Sequence, residues 1–297
     1  MATPSSSGPV FGLVDAGRLG ASLAEALRRA GHTVVAVSRR DPEQARALAR
    51  RLGDGVLGTS DPQAVVKAAD AVFLTSPDDR IGWLARELAF RSDQIVIHCS
   101  GATPVSVLAP ARAAGAETGG FHPLQTFPDE HGADRFAGVT FGIEAERPSL
   151  LQRLQRLAVE LGGTSVTLDE ESRPLYHASA VMAGPLTAAL AGLASELWTR
   201  FGHDREAGLR ALSPLLKATT DHLAMLGIPA AMTGPYVRGD LAPVRAHLAA
   251  LGDADPEVLR AYASLALAQL PLAAERGNIP EDRMRELHSL LADAART

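Results

Sequence analysis

Residues Val10 to Gly20 read VFGLVDAGRLG, an apolar run that opens into a glycine-punctuated turn. The spacing Asp15-x-Gly17-x-x-Gly20 matches the phosphate-cradling pattern G-x-G-x-x-G, with an aspartate in the place of the first glycine. In an intact turn the first residue makes the bend, the second lets the backbone approach a pyrophosphate, and the third allows helix and strand to pack closely. Gly17 and Gly20 fill the last two roles. Asp15 tolerates a left-handed backbone better than most residues, but it sets a carboxylate beside the expected pyrophosphate. At ~5 Å and an effective dielectric of ~20, each like-charge pair costs about 3 kcal/mol. Arg18, at the start of the following helix, is expected to offset part of this. The cofactor-facing set here is Asp15, Ala16, Gly17, Arg18, Leu19 and Gly20.

A second basic cluster follows the next apolar run, TVVAV (Thr33–Val37), as Ser38-Arg39-Arg40. An acidic residue commonly meets the adenosine ribose hydroxyls at this point, and none is present. A serine and two arginines suit a 2′-phosphate, which accepts charge-assisted and bidentate hydrogen bonds from guanidinium groups. NADP(H) is the cofactor this implies; a solvated basic loop is the alternative.

Several side chains have proton-transfer or carboxylate-binding chemistry. His122 ends a strand-like run between Gly120 and Pro123, where a neutral imidazole could serve as a general acid or merely orient the loop. Tyr176 and His177 are neighbours near the start of a helix and diverge by about 100°, so one of them is expected to be structural. Arg173 lies four residues before His177 and shares its face, placed either to bind a substrate carboxylate or to hold a domain interface. Thr233 to Asp240 (TGPYVRGD) reads as a polar loop in which Arg238 could clamp a carboxylate or pair with Asp240 to fix the turn. The candidate catalytic residues are therefore His122, Tyr176 and Arg238. Gln125, His177, Thr233, Arg238 and Asp240 are the candidate substrate-binding residues. The nine histidines have no ligand spacing with acids or with the single cysteine, Cys99. Cys99 follows a strand and reads as a packed thiol rather than a nucleophile, and no G-x-S-x-G elbow is present.

These residues need a scaffold, and the apolar pattern supplies one. Strand-like runs recur at Val10–Val14, Thr33–Val37, Gly55–Leu57, Ala71–Leu74, Gln94–His98 and Glu117–Phe121, with helical patterns between most of them. This is the signature of a doubly wound parallel sheet of Rossmann type. A further pair, Val139–Ile143 and Thr164–Thr167, flanks a helix at Pro148–Leu161 and extends the sheet. Ligands in such sheets lie beyond the carboxyl ends of the strands. That adds Ser76, Pro77, Ser100 and Gly101 to the expected cofactor-binding residues. From about Glu170 strand signals cease, and helices are expected at Ser172–Phe201, Arg205–Leu226, Ala242–Leu251, Pro256–Ala273 and Glu281–Ala294. The fold class is thus α/β, with an N-terminal doubly wound domain over 1–168 and an all-helical domain over 169–297.

A length of 297 residues with 46% hydrophobic content can fill two cores. A net charge of -5 disfavours nucleic acid or an anionic membrane as a partner. One cysteine suits a reducing cytoplasm, and the Met1–Gly8 tail lacks the pattern of a signal peptide. Ala178–Ser195 carries no charge and reads as a helix buried on all sides of a bundle rather than a membrane span. Five alanine- and leucine-rich helices are more than one small domain can bury, so a homodimer through the helical domain is expected.

Six segments in order, DAGRLG (Asp15–Gly20), SPDD (Ser76–Asp79), HCSGA (His98–Ala102), GGFHPLQTFP (Gly119–Pro128), LYHASAVMAG (Leu175–Gly184) and TGPYVRGD (Thr233–Asp240), resemble the bacterial family that joins a Rossmann-like domain to the helical domain of unknown function 2520. The sequence departs from that pattern at Asp15 and at Gly184-Pro185, where Ser-Asn is common. The family is similar in architecture to ketopantoate reductase, pyrroline-5-carboxylate reductase and deazaflavin-dependent NADP reductases. The resemblance implies an NADP(H)-dependent oxidoreductase acting on a small carboxylate-bearing carbonyl or imine. The alternative is a non-catalytic Rossmann-fold sensor or interaction protein whose cofactor binding is impaired by Asp15.

Overall fold

The computed structural model describes residues 8–276 and 279–296; apart from Gly8, the N-terminal tail read in the sequence lies outside them. Two compact units divide the chain, Met1–Gly184 and Pro185–Thr297.

The first unit is built on eight strands: β1 (Phe11–Val14), β2 (Val34–Ser38), β3 (Leu57–Thr59), β4 (Ala71–Leu74), β5 (Ile95–His98), β6 (Glu117–Pro123), β7 (Thr140–Ala145) and β8 (Thr164–Thr167). They pair in the order β3-β2-β1-β4-β5-β6-β7-β8. Neighbours from β3 through to β6 are parallel, but β7 runs antiparallel to β6, with His122 opposite Gly142, and β8 runs parallel to β7. The six strands read as a doubly wound parallel sheet are parallel, and the further pair that extends the sheet makes it mixed: the connection from β6 to β7 carries no crossover helix, so the chain turns back on itself.

The helices of this unit are α1 (Arg18–Arg29), α2 (Pro42–Leu52), α3 (Pro62–Ala68), α4 (Asp78–Glu87), α5 (Ala109–Ala113), α6 (Pro148–Glu160) and α7 (Arg173–Ala183). Two of them start on the same device. Asp41 accepts hydrogen bonds from the backbone N–H groups of Glu43 and Gln44, Asp61 accepts one from Gln63, and a proline follows each aspartate. The carboxylate satisfies orphan donors while proline presets the first helical φ. Helices thus begin immediately after β2 and β3, leaving short turns at the carboxyl edge.

Two apolar layers sandwich the sheet. One holds Leu13, Leu23, Phe73, Phe121, Phe141 and Leu154; the other holds Val14, Val65, Val72, Leu74, Ile81 and Leu84. In the first layer phenylalanines make a continuous file: Phe11–Phe73 and Phe73–Phe121 at 5.9 Å, Phe121–Phe141 at 4.5 Å and Phe141–Phe136 at 6.0 Å between ring centroids. Each such pair contributes about 1 kcal/mol beyond its buried area, so the file ties β1 to β7 across the sheet. The layer gives β6 a fixed end at His122.

The second unit is helical: α8 (Pro185–Glu196), a short 3₁₀ turn (Leu197–Phe201), α9 (Arg205–Leu226), α10 (Pro235–Arg238), α11 (Leu241–Ala254), α12 (Pro256–Ala274) and α13 (Glu281–Arg296). Tyr236, Leu241, Val244, Ala266, Leu270, Leu287 and Leu291 form its core.

Three expectations need correction. Pattern change placed the boundary near Leu168, but α7 packs with the sheet and the units divide at Gly184. The run expected as one helix over Ser172–Phe201 is broken at Gly184-Pro185, because proline lacks the N–H that would continue the ladder. Nor is Ala178–Ser195 buried on all sides: Met182, Leu186 and Leu190 are exposed, and Ala191 and Ser195 are the buried positions of α8. By length and composition alone Arg173–Phe201 could cross a membrane.

Candidate functional site

The turn after β1 is knitted to its neighbours through backbone. Asp15 adopts φ 54°, the left-handed region that its short polar side chain tolerates. Its N–H donates to Ser38 Oγ at 3.1 Å and the N–H of Ala16 donates to Ser38 O at 2.8 Å, so Ser38 positions the turn. The two glycines differ in what they do. A Cβ on Gly20 would lie 2.3 Å from Thr75 Oγ1, whereas one on Gly17 would meet nothing nearer than 3.9 Å. Gly20 is required by the packing of α1 on β4. Gly17 keeps the space in front of the turn open.

That space is a cleft of about 580 Å³ lined by Asp15, Gly17, Arg18, Pro77 and Arg80 on one side and by Arg39, Arg40, Asp41, Gln44 and Glu130 on the other. Arg80 Nε lies 3.4 Å from Asp15 Oδ2. Arg18 instead donates from Nη1 to Pro128 O at 3.3 Å. The cation that offsets Asp15 is therefore Arg80 rather than Arg18. The α4 N-terminus and the glycine turn share the carboxyl edge, and one turn into α4 a long side chain reaches back to Asp15.

Arg39 is 8% exposed and ion-paired to Glu130 through Nη1 at 2.7 Å, while its Nε and Nη2 are buried with no protein partner. Buried guanidinium nitrogens without acceptors are costly, and Arg39 is one of the residues that line the cleft. Arg40 is exposed. Ser76 Oγ is also buried without a partner, and Pro77 lines the cleft. An open glycine turn, orphaned Arg39 donors and an offset Asp15 together fit an NADP-type dinucleotide.

A second cluster lies at the ends of β5 and β6. Ser100 Oγ accepts from the N–H groups of Ala102 and Thr103, which folds the turn back so that Gly101 meets two imidazoles. A Cβ on Gly101 would lie 2.8 Å from His122 Nε2 and 2.7 Å from His177 Cδ2. Tyr176 Oη is 2.9 Å from His122 Nδ1. Burial first, then the charges of His177 and Arg173, hold the His122 imidazole down at about 4. It is neutral near pH 7, so Nδ1 can accept from the Tyr176 hydroxyl, whose own ionisation burial pushes up. Both Tyr176 and His177 thus lie against His122, Tyr176 as its hydrogen-bond partner.

Arg173 anchors this helix. It is fully buried, donates from Nε and Nη2 to Glu144 Oε2 at 2.9 and 2.6 Å, and donates from Nη1 to Ser100 O at 3.0 Å. Its guanidinium holds α7 to β7 and to the β5 turn, which leaves it no role as a substrate clamp. Burial pushes the Cys99 thiol up, consistent with a packed thiol. Gln125 is exposed, its Oε1 accepting from the N–H of Thr126.

In the second unit Thr233, Gly234, Arg238 and Arg276 line a cleft of about 470 Å³. The segment read as a loop contains the short helix α10; Arg238 Nε donates to Asp240 Oδ2 at 2.7 Å, and Tyr236 is buried with its hydroxyl donating to Tyr262. Among the described residues no group of three or more His, Cys, Asp or Glu is arranged to hold a metal ion.

Residues 6–123 match the Rossmann-like domain family, and residues 139–269 match the domain of unknown function 2520. The second match begins one residue before β7, so it takes in the end of the sheet, α6, α7 and the helices through most of α12. No curated protein matches the chain. Among solved structures, a Bacteroides fragilis protein classed provisionally as an NADP oxidoreductase is 27% identical, with TM-score 0.73 over 89% of this chain and 99% of that one. The fold is shared with the Plasmodium falciparum pyrroline carboxylate reductase solved with NADP bound, 12% identical with TM-score 0.62 over 92% and 98% of the two chains. It is shared too with the Aspergillus terreus reductive aminase in complex with NADPH and ethyl-5-oxohexanoate, 16% identical with TM-score 0.58 over 97% and 94%.

Proposed function

We propose that the protein is an NADP(H)-dependent oxidoreductase that reduces a small carboxylate-bearing carbonyl or imine. The observation that carries this is Arg39, buried at the carboxyl end of β2 with Nε and Nη2 unsatisfied, beside a glycine turn whose outer face is open. The solved relatives described above that hold or are classed by NADP or NADPH support the same cofactor. The bound dinucleotide would supply hydride; the chain supplies orientation and a hydrogen-bond donor. With Tyr176 donating to His122 Nδ1, the imidazole proton sits on Nε2, on the side of Gly101. There it can donate a hydrogen bond to a carbonyl oxygen or imine nitrogen and stabilise the charge that hydride transfer places there, the final proton coming from water. Thr233 and Arg238 line a cleft of the second unit, with Arg238 paired to Asp240, and are proposed as a carboxylate-binding group there. The sensor alternative drew its support from the charge on Asp15 and from Gly184-Pro185 standing where Ser-Asn is common; Arg80 offsets the first of these, and the second stands.

Arg39→Ala is the direct test. Two charge-assisted hydrogen bonds to a 2′-phosphate are worth about 3 kcal/mol together, so NADPH binding should weaken on the order of 100-fold while NADH stays within about threefold. Calorimetry that finds equal weakening of both cofactors rejects the 2′-phosphate assignment.

The working form is proposed to be a homodimer of the helical domain. Of the 22 residues of α9 only Gly208 is buried, and Leu215, Met225 and Leu226 are exposed, as are Leu186 and Leu190 of α8. Apolar surface of this extent is ordinarily covered, and a second copy of the same pair of helices is the complementary cover. Light scattering should give twice the 31.1 kDa chain mass; a monomer at micromolar concentration contradicts it.

A further inference from the structure

We infer that Glu130 is an intramolecular competitor of the cofactor's 2′-phosphate, and so tunes how strongly the site discriminates NADPH from NADH; this rests on the cofactor reading above. The acid that does not follow β2 in sequence arrives there in space from the connection between β6 and β7. Glu130 Oε1 accepts from Arg39 Nη1 at 2.7 Å, Oε2 lies 3.8 Å from Arg51 Nη1, and the backbone carbonyl of Glu130 accepts from Arg51 Nη2 at 3.2 Å. The connection is held in place independently of this pair. Arg18 donates to Pro128 O, and the N–H of Gly132 donates to Ser22 Oγ at 3.0 Å. Asp134 pairs with Arg29 at 2.6 Å. Three anchors along α1 thus set the carboxylate against the guanidinium that the 2′-phosphate requires.

Arg39 has one charge, and two anions draw on it. Without cofactor, Glu130 neutralises Arg39; the remaining donors, Nε and Nη2, are the ones offered to a phosphate. A 2′-phosphate bound there must either displace the Glu130 carboxylate or accept its repulsion, and both reduce affinity. A cofactor with a free 2′-hydroxyl brings no such charge. Glu130 therefore lowers NADPH affinity selectively, and the site discriminates less than its arginines alone would allow.

The test is Glu130→Gln, which keeps the shape and an acceptor for Arg39 while removing the charge. Calorimetric titration with NADP+, NAD+ and adenosine 2′,5′-bisphosphate should show at least about tenfold tightening for the two 2′-phosphorylated ligands and less than about twofold change for NAD+. Because the unliganded variant loses an ion pair, its thermal midpoint should fall without ligand and recover with NADP+. Weaker NADP+ binding would show that the carboxylate positions Arg39 rather than competing. Weaker NAD+ binding would show that it accepts from the ribose hydroxyl. Either result, or no change while NADP+ binds, overturns this inference alone. If NADP+ binds neither wild type nor variant at millimolar concentration, the cofactor reading itself fails.

Discussion

Arg173→Met is expected to lower the stability of the sheet-containing unit by about 3–5 kcal/mol, the cost of removing one partner from a buried ion pair. The guanidinium has no exposure, and its loss strands the Glu144 carboxylate together with the carbonyls of Ser100 and Gly101. A buried carboxylate without a cation must be desolvated or protonated, and neither is cheap. The double replacement Arg173→Met with Glu144→Leu should recover most of the loss, because an apolar pair of similar volume has no charge left to strand. Urea denaturation of the three proteins measures this. A loss below about 1 kcal/mol in the single variant would mean that water reaches Glu144 and that α7 is held chiefly by its other contacts.

Arg80→Ala is expected to weaken NADP+ and NAD+ alike, on the order of 100-fold, because it exposes the pyrophosphate to a bare Asp15 at a cost of about 3 kcal/mol. Adding Asp15→Asn to that variant should restore most of the affinity, since the amide keeps a short side chain that tolerates φ 54° while removing the charge. Arg18→Ala should change affinity by less than about threefold, as its guanidinium is directed to Pro128 O rather than to the carboxylate. Isothermal titration distinguishes these cases. If Arg18→Ala weakens binding as much as Arg80→Ala, the assignment of Arg80 as the counter-ion is wrong.

Much of the scaffold was legible because its signals are local. All eight strands lie within a few residues of the apolar runs that announce them, and the left-handed Asp15 follows from its place in a glycine turn. What was not legible depends on pairing across the chain. Nothing in Val139–Ile143 states that it returns antiparallel, since residues facing both layers look alike in either direction. Arg80 and Glu130 belong to separate segments, the latter 91 positions from Arg39, and each reads as one more solvated charge until the fold brings it to the cleft. Arg173 was legible as a residue of the same face as His177, but its partner Glu144 was not, because a buried carboxylate inside a strand leaves no periodic trace. The exposure of Ala178–Ser195 was misread for a related reason: an uncharged stretch does not state which of its faces the rest of the chain packs against.

The reversal between β6 and β7 joins the molecule's frame to its cleft. A parallel crossover leaves the carboxyl edge and must end at the other, so its length is constrained by the sheet it spans. An antiparallel return begins and ends at the same edge, and residues 124–139 pass the cleft at Glu130 before running along α1 as far as Arg29. The same segment carries Glu130 and the carbonyl that Arg18 contacts. It also carries Phe136, which stacks on Phe141 of β7. One stretch of chain therefore ties the cleft to the phenylalanine file, and an exchange at Glu130, outside that file, leaves the register of Phe121 against Ile143 in place.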